Sequence, residues 1–204
     1  MESSLSTQLL SSFRKIFEKL HAQGEIISMA PESPSLVSRR APPRSMRPGA
    51  RLLLTSGVAA WQNPGELEGF VEGSTNAYVP LVDTTVVNHI SWVAPQLYND
   101  LIPFGEDPVK YVTSLQAGHT IEWDGKMIEV KIPSNKIVLG HPATRGAAPA
   151  RNPPDWQSDP EALLKLYKSS PELMATKGVM TWSVGHDYGN GWKWIKAVKQ
   201  IWEE

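Results

Sequence analysis

The chain has 204 residues, 41% hydrophobic and 20% charged, with a formal net charge of -1, which is enough apolar material for one globular core. So balanced a charge argues against a nucleic-acid or membrane-surface protein, because both work through a broad basic footprint. With no cysteine, disulfides, thiolate metal sites and a cysteine nucleophile are excluded, and the redox compartment is left open. The opening MESSLSTQLLSSFRKIFEKL has no basic start before a continuous apolar core, and no run approaches the ~20 apolar residues of a membrane span. The chain as written shows no export signal, and its compartment is undetermined.

In chain order, Leu9, Leu10, Phe13, Ile16, Phe17 and Leu20 recur at spacings of three and four, predicting a helix over about 5–23 that Gly24 ends. Ile26 to Ala30 is a short apolar run stopped by Pro31, as in a strand buried on both faces. The stretch 38–57 holds Arg39, Arg40, Arg44, Arg47 and Arg51 among Pro42, Pro43 and Pro48. It reads as a disordered, solvated loop sooner than as an anion or partner site. Helical patterns near 78–88 and 106–117 flank a buried strand over Ile90 to Tyr98. His119 to Ile132 sets β-type residues on either side of Asp124-Gly125, the preferred type I′ turn, and predicts a small antiparallel hairpin as a loop decoration.

Lys136 to Pro142 and Gly178 to Val184 read as two more buried strands. Between them lies a helix over about 159–175, with Asp159 as N-cap and Pro160 at its first position. A last helix over about 190–203 sets Trp194, Ile195, Val198, Ile201 and Trp202 opposite Lys193, Lys196 and Lys199. Four strands alternating with helices predict an α/β fold with a parallel sheet. No internal repeat is visible.

Four segments carry a resemblance. Ser28-Met29-Ala30-Pro31-Glu32, Ala94-Pro95-Gln96-Leu97-Tyr98-Asn99, Lys136-Ile137-Val138-Leu139-Gly140-His141-Pro142-Ala143 and Gly178-Val179-Met180-Thr181-Trp182-Ser183 resemble, in order and spacing, the ends of strands five to eight in family 18 glycoside hydrolases, the chitinase type. The resemblance covers roughly 5–202 without the arginine-proline block, and GVMTWS is its most specific motif. It implies a partial (β/α)8 TIM barrel: a single, incomplete catalytic domain over 1–204 with a β-hairpin insertion. A complete barrel needs about 250 residues. Half of one leaves sheet edges and an apolar inner face that call for an N-terminal half or self-association.

The same resemblance implies hydrolysis of β-1,4-linked N-acetylglucosamine, with chitin or its oligosaccharides as partner and neither cofactor nor metal. In this family the substrate's own N-acetyl oxygen attacks the anomeric carbon, and configuration is retained. Tyr98 would hydrogen-bond that acetamido oxygen, with Gln96 and Asn99 beside it on the same strand end. Trp182 would floor the subsite of the reacting sugar, and Met29 would line it from the neighbouring strand. Taken singly, Tyr98 and Trp182 read as buried strand aromatics; the four motifs in register reverse that balance. Members of the family are usually secreted.

The family's proton donor stands in a DxxDxDxE pattern at the fourth strand, and these 204 residues contain none. Asp124 to Glu129 has the wrong spacing. No catalytic acid is therefore assigned: the chain is expected to begin just past that glutamate and to be inactive alone, which leaves its status as an enzyme open. The alternatives are a non-catalytic chitooligosaccharide-binding remnant and a non-functional truncated product. Other residues read blandly. Glu32 is as easily a loop carboxylate as a cleft residue, and His186 and Asp187 fall in a glycine-rich, solvated turn. His21, His89, His119 and His141 show no metal-binding spacing. Trp192, Trp194 and Trp202 are expected in the core, whereas Trp61, Trp123 and Trp156 are candidates for stacking on further sugar units.

Overall fold

The computed structural model describes residues 2–31, 81–98, 107–123, 126–148 and 159–203. Helix α1 spans Glu2–Ala22. Its Leu10, Phe17 and Leu20 pack on the core, while Leu9, Phe13 and Ile16 stay exposed. The helix ends at Gly24, whose φ of 78° is a left-handed conformation that glycine adopts without a Cβ clash. From the middle of α1, Arg14 forms an ion pair with Asp83.

Four short strands follow the expected order. Strands β1 (Ser28–Met29) and β2 (Trp92–Val93) pair in parallel. Strands β5 (Val138–Pro142) and β6 (Gly178–Trp182) do the same, from Val138↔Gly178 to Pro142↔Trp182. Parallel bridges Val93↔Ile137 and Gln96↔Gly140 join β2 to β5. The four strands thus lie side by side in chain order, and among the described residues no sheet closes on itself. The expected strand over 90–98 is realised as two residues plus the bridge at Gln96. Its proline explains why: Pro95 has no N–H for the ladder. Pairing persists beyond the formal ends, with Gln96 N–H to Pro31 O at 2.9 Å and Leu97 N–H to Gly140 O at 3.0 Å.

The hairpin forms as expected, with β3 (His119–Trp123) antiparallel to β4 (Lys126–Val130). Helix α2 (Pro108–Ala117) is capped by Asp107, whose carboxylate accepts from Lys110 N at 2.8 Å. The helix expected over 159–175 divides into α3 (Pro160–Lys168) and α4 (Pro171–Met174), because Pro171 supplies no N–H to continue it. Asp159 caps α3 through Glu161 N at 3.0 Å.

Other expectations are corrected. Within 78–88 the described residues hold a 3-10 turn at Val86–His89, not an α-helix. The run Thr84-Thr85-Val86-Val87 is β-branched throughout, and the Asp83 carboxylate draws the chain into a turn by accepting from Thr85 N and Val86 N at 3.0 and 2.8 Å. Lys136 Nζ then donates to the carbonyls of Val87, Asn88 and Ile90 at 2.8, 3.2 and 2.8 Å. The glycine-rich stretch after β6 is a helix, α5 (Val184–Gly189), and the final helix α6 runs Lys193–Trp202 and packs on α3. The arginine-proline stretch 38–57, Glu32, Trp61, Asn99, the Asp124-Gly125 turn and Trp156 lie outside the described residues.

Candidate functional site

Side chains alternate across a strand, so the ladder register sorts residues between the two faces of the sheet. On one face fall Met29, Val93, Ile137, Leu139, His141 and Val179. Met29, Val93, Ile137 and Leu139 share an apolar cluster with Leu163 and Tyr167 of α3 and with Trp194, Val198 and Ile201 of α6. This is the helix-covered face. His141 is fully buried here, its Nε2 2.8 Å from the Tyr167 hydroxyl, and its carbonyl accepts from Thr181 Oγ1 at 3.1 Å. Burial pushes the His141 imidazole down to about 3, so it is neutral near pH 7. Burial likewise raises the Tyr167 phenol well above its ordinary value. The pair holds strand to helix on the covered face of the sheet.

The opposite face carries Gln96, Gly140 and Met180 in one row and Pro142 and Trp182 in the next. Gly140 is a close approach: a Cβ there would lie 2.7 Å from Met180 Cε and 3.1 Å from Pro95 O. The Met180 side chain and the backbone of Pro95 and Gln96 occupy the space a side chain at 140 would need, so glycine is what lets them pack this closely. Gln96 Nε2 donates to Ala30 O at 2.7 Å, which ties its amide to the end of β1. Trp182, at the end of β6, is 56% exposed, and Tyr98, two residues past Gln96, is 7% exposed.

The structure therefore brings Gln96 and Trp182 to the C-terminal ends of the strands on one face, with Tyr98 following Gln96. Met29 stands apart, since its register partner is Val93 and it joins the apolar cluster behind the sheet. The Trp182–Ser183 peptide is cis. Gly140 and Met180 were not singled out from sequence, although a glycine inside a buried apolar run is itself a sign of close approach.

Asp187 also departs from expectation. It is 2% exposed, and its carboxylate accepts from Trp194 N at 2.8 Å and Ile195 N at 3.2 Å. It thus caps α6 from α5, whereas His186 is exposed. The sequence signal was the residue at the N-cap position of α6, Trp192, which has no side-chain acceptor and leaves the first N–H groups to a remote partner. Trp194 is buried as expected, but Trp192 and Trp202 are 40% and 41% exposed. Among the described residues no three His, Cys, Asp or Glu side chains gather as a metal site.

By sequence, the chain matches no family model and no curated protein. By structure, it is similar to a family GH18 chitinase from Chromobacterium violaceum, with a TM-score of 0.60 and 20% identity. The match covers 95% of this chain and 50% of that one, so the chain spans half the length of the solved structure it resembles. At this identity the likeness is one of fold: a mixed helix-and-strand architecture similar to that of a GH18 chitinase.

Proposed function

We propose that this chain forms the sugar-positioning part of a chitinase-type glycoside hydrolase, acting on β-1,4-linked N-acetylglucosamine, and that its four strands are one half of an eight-stranded β/α barrel. The observation that carries the reading is the placement of Gln96 and Trp182 on one face toward the strand ends, with Tyr98 two residues past Gln96 in the chain, in a fold similar to a GH18 chitinase. Barrel enzymes place their chemistry at that end of the strands.

Cleavage of a glycosidic bond builds positive charge at the anomeric carbon, and in substrate-assisted enzymes a neighbouring acetamido oxygen supports that carbon. In this reading the Tyr98 hydroxyl donates to the acetamido oxygen and holds it for attack, Gln96 presents an amide already oriented by Ala30 O, and the exposed indole of Trp182 receives the flat C–H face of the reacting sugar. The contribution is positioning, which removes orientational freedom before the reaction. No residue is assigned as proton donor.

A second reading, saccharide binding without hydrolysis, is favoured by one observation: the 204 residues contain no DxxDxDxE pattern. One experiment separates the two. Calorimetric titration with chitotetraose, alongside hydrolysis of a fluorogenic chitobioside by the same sample, is expected to give binding. Turnover would establish hydrolysis and an acid outside the expected pattern. Binding without turnover would establish the second reading, and a sample with neither would sink both.

A further inference from the structure

We propose that Tyr188 and Trp192, on the connection between β6 and α6, form a second sugar-stacking platform for a β-linked oligosaccharide, receiving a ring beyond the one seated on Trp182. The inference rests on the reading of Gln96, Tyr98 and Trp182 as a saccharide site and extends that site outward.

Topology fixes the location. Helix α5 begins two residues after Trp182 and leads into α6, which returns along α3. The connection therefore lies at the C-terminal end of β6, at the same end of the sheet as Trp182. Tyr188 is 69% exposed and Trp192 40%, and their rings meet edge to face with centroids 5.4 Å apart at 67°. Each ring fixes the other's orientation and leaves apolar surface in solvent.

The backbone beneath Trp192 is costly for its residue type. Trp192 has φ 61° and ψ 30°, a left-handed conformation that is an outlier for a bulky side chain. Gly191 before it, at φ 70°, is the residue type that tolerates such angles. The surroundings hold this geometry. Trp192 N–H donates to Asp187 O at 2.9 Å, Gly191 N–H to Tyr188 O at 3.0 Å, and the buried Asp187 carboxylate clamps the two residues after Lys193. Glycine or asparagine would satisfy the same backbone with less strain, so the tryptophan is held for what its indole does in solvent. The exposed His186 and Lys193 and the half-buried Asn190 stand within two residues of one or the other ring along the chain. An aromatic face with hydrogen-bonding groups at its border suits a pyranose, apolar on its C–H face and polar at its edge.

The test is calorimetric titration of the full chain, wild type and variants, with chitobiose and with chitohexaose. Tyr188→Ala with Trp192→Gly is expected to leave chitobiose binding unchanged and to weaken chitohexaose about tenfold, which is about 1.4 kcal/mol; Trp182→Ala is expected to weaken both. If the double variant leaves both affinities unchanged, or weakens both alike, while Trp182→Ala still weakens both, the platform is overturned and the Trp182 site stands. If wild type binds neither sugar, or Trp182→Ala changes neither affinity, the site reading fails and the platform with it. Trp192→Gly is also expected to melt no lower than wild type, since it relieves the left-handed strain; a clear drop would make the indole a packing group and overturn the proposal. Tyr188→Ala alone, at a residue 69% exposed, gives the same length-dependent readout without touching the turn.

Discussion

The two faces of the sheet make different use of the same strands. On β5, Leu139 and His141 point into a layer closed by α3 and α6, whereas Gly140 between them makes room on the other face for the Met180 side chain. The first face is saturated with contacts, and every group on it has a packing duty. The second ends in Trp182, a large aromatic residue more than half exposed, with no packing duty to match its size. Residues one apart on a single strand thus stand in separate surroundings, a closed layer on one side and, at the strand end, an exposed aromatic on the other.

Substitutions can break or sharpen that contrast. Leu139→Ala, on the covered face, is expected to cost about 2–5 kcal/mol of unfolding free energy in urea, through lost burial and the cavity left behind. Tyr167→Phe should cost about 1–3 kcal/mol by removing the hydroxyl that partners His141 Nε2 inside the protein. A third effect depends on pH. The folded His141 value is lowered from 6.5 to about 3, so the unfolded chain binds the extra proton across that window. The stabilisation from keeping His141 neutral is complete above pH 6.5 and is lost as pH falls toward 3, with a slope approaching about 1.4 kcal/mol per pH unit. Melting curves of wild type and His141→Gln between pH 7 and 4 should differ accordingly, with the acid limb of the variant flattened. Smallest in stability is Trp182→Ala, expected within about 0.5 kcal/mol of wild type while weakening chitooligosaccharide binding about tenfold. Were Trp182→Ala to destabilise the protein as strongly as Leu139→Ala, the two faces would not be distinct in kind.

Much of this arrangement was legible in the residues. Apolar runs and helical spacing placed all four parallel strands and their order, and Asp124-Gly125 marked the hairpin, because these signals are local. What escaped was set by carboxylates that bond the backbone of other residues, which apolar periodicity does not report. Trp192 at the N-cap shows that α6 needs a remote acceptor, but not that the Asp187 carboxylate will serve the backbone of Trp194 and Ile195. Thr84 to Val87 were read as helix by apolar content, yet β-branching and the Asp83 turn prevailed. Of the residues in the proposed site, Gln96 and Trp182 were singled out from strand motifs, but only the register separates Met29 from them by putting it on the covered side. Gly140 showed no chemistry of its own, and its role appears once Met180 is seen 2.7 Å from where its Cβ would be.

Asp83 bears on the order in which the chain assembles. It turns the segment before the 3-10 helix, meets Arg14 from a position 69 residues away, and pairs its backbone with Val130 of the hairpin. Closing loops of that length costs entropy that no nearby contact repays in advance. Helix α1 can coil early, and its docking through Asp83 is expected late in folding. A weakened Asp83 should accordingly leave the folding rate nearly unchanged and quicken unfolding, with α1 the first element to detach.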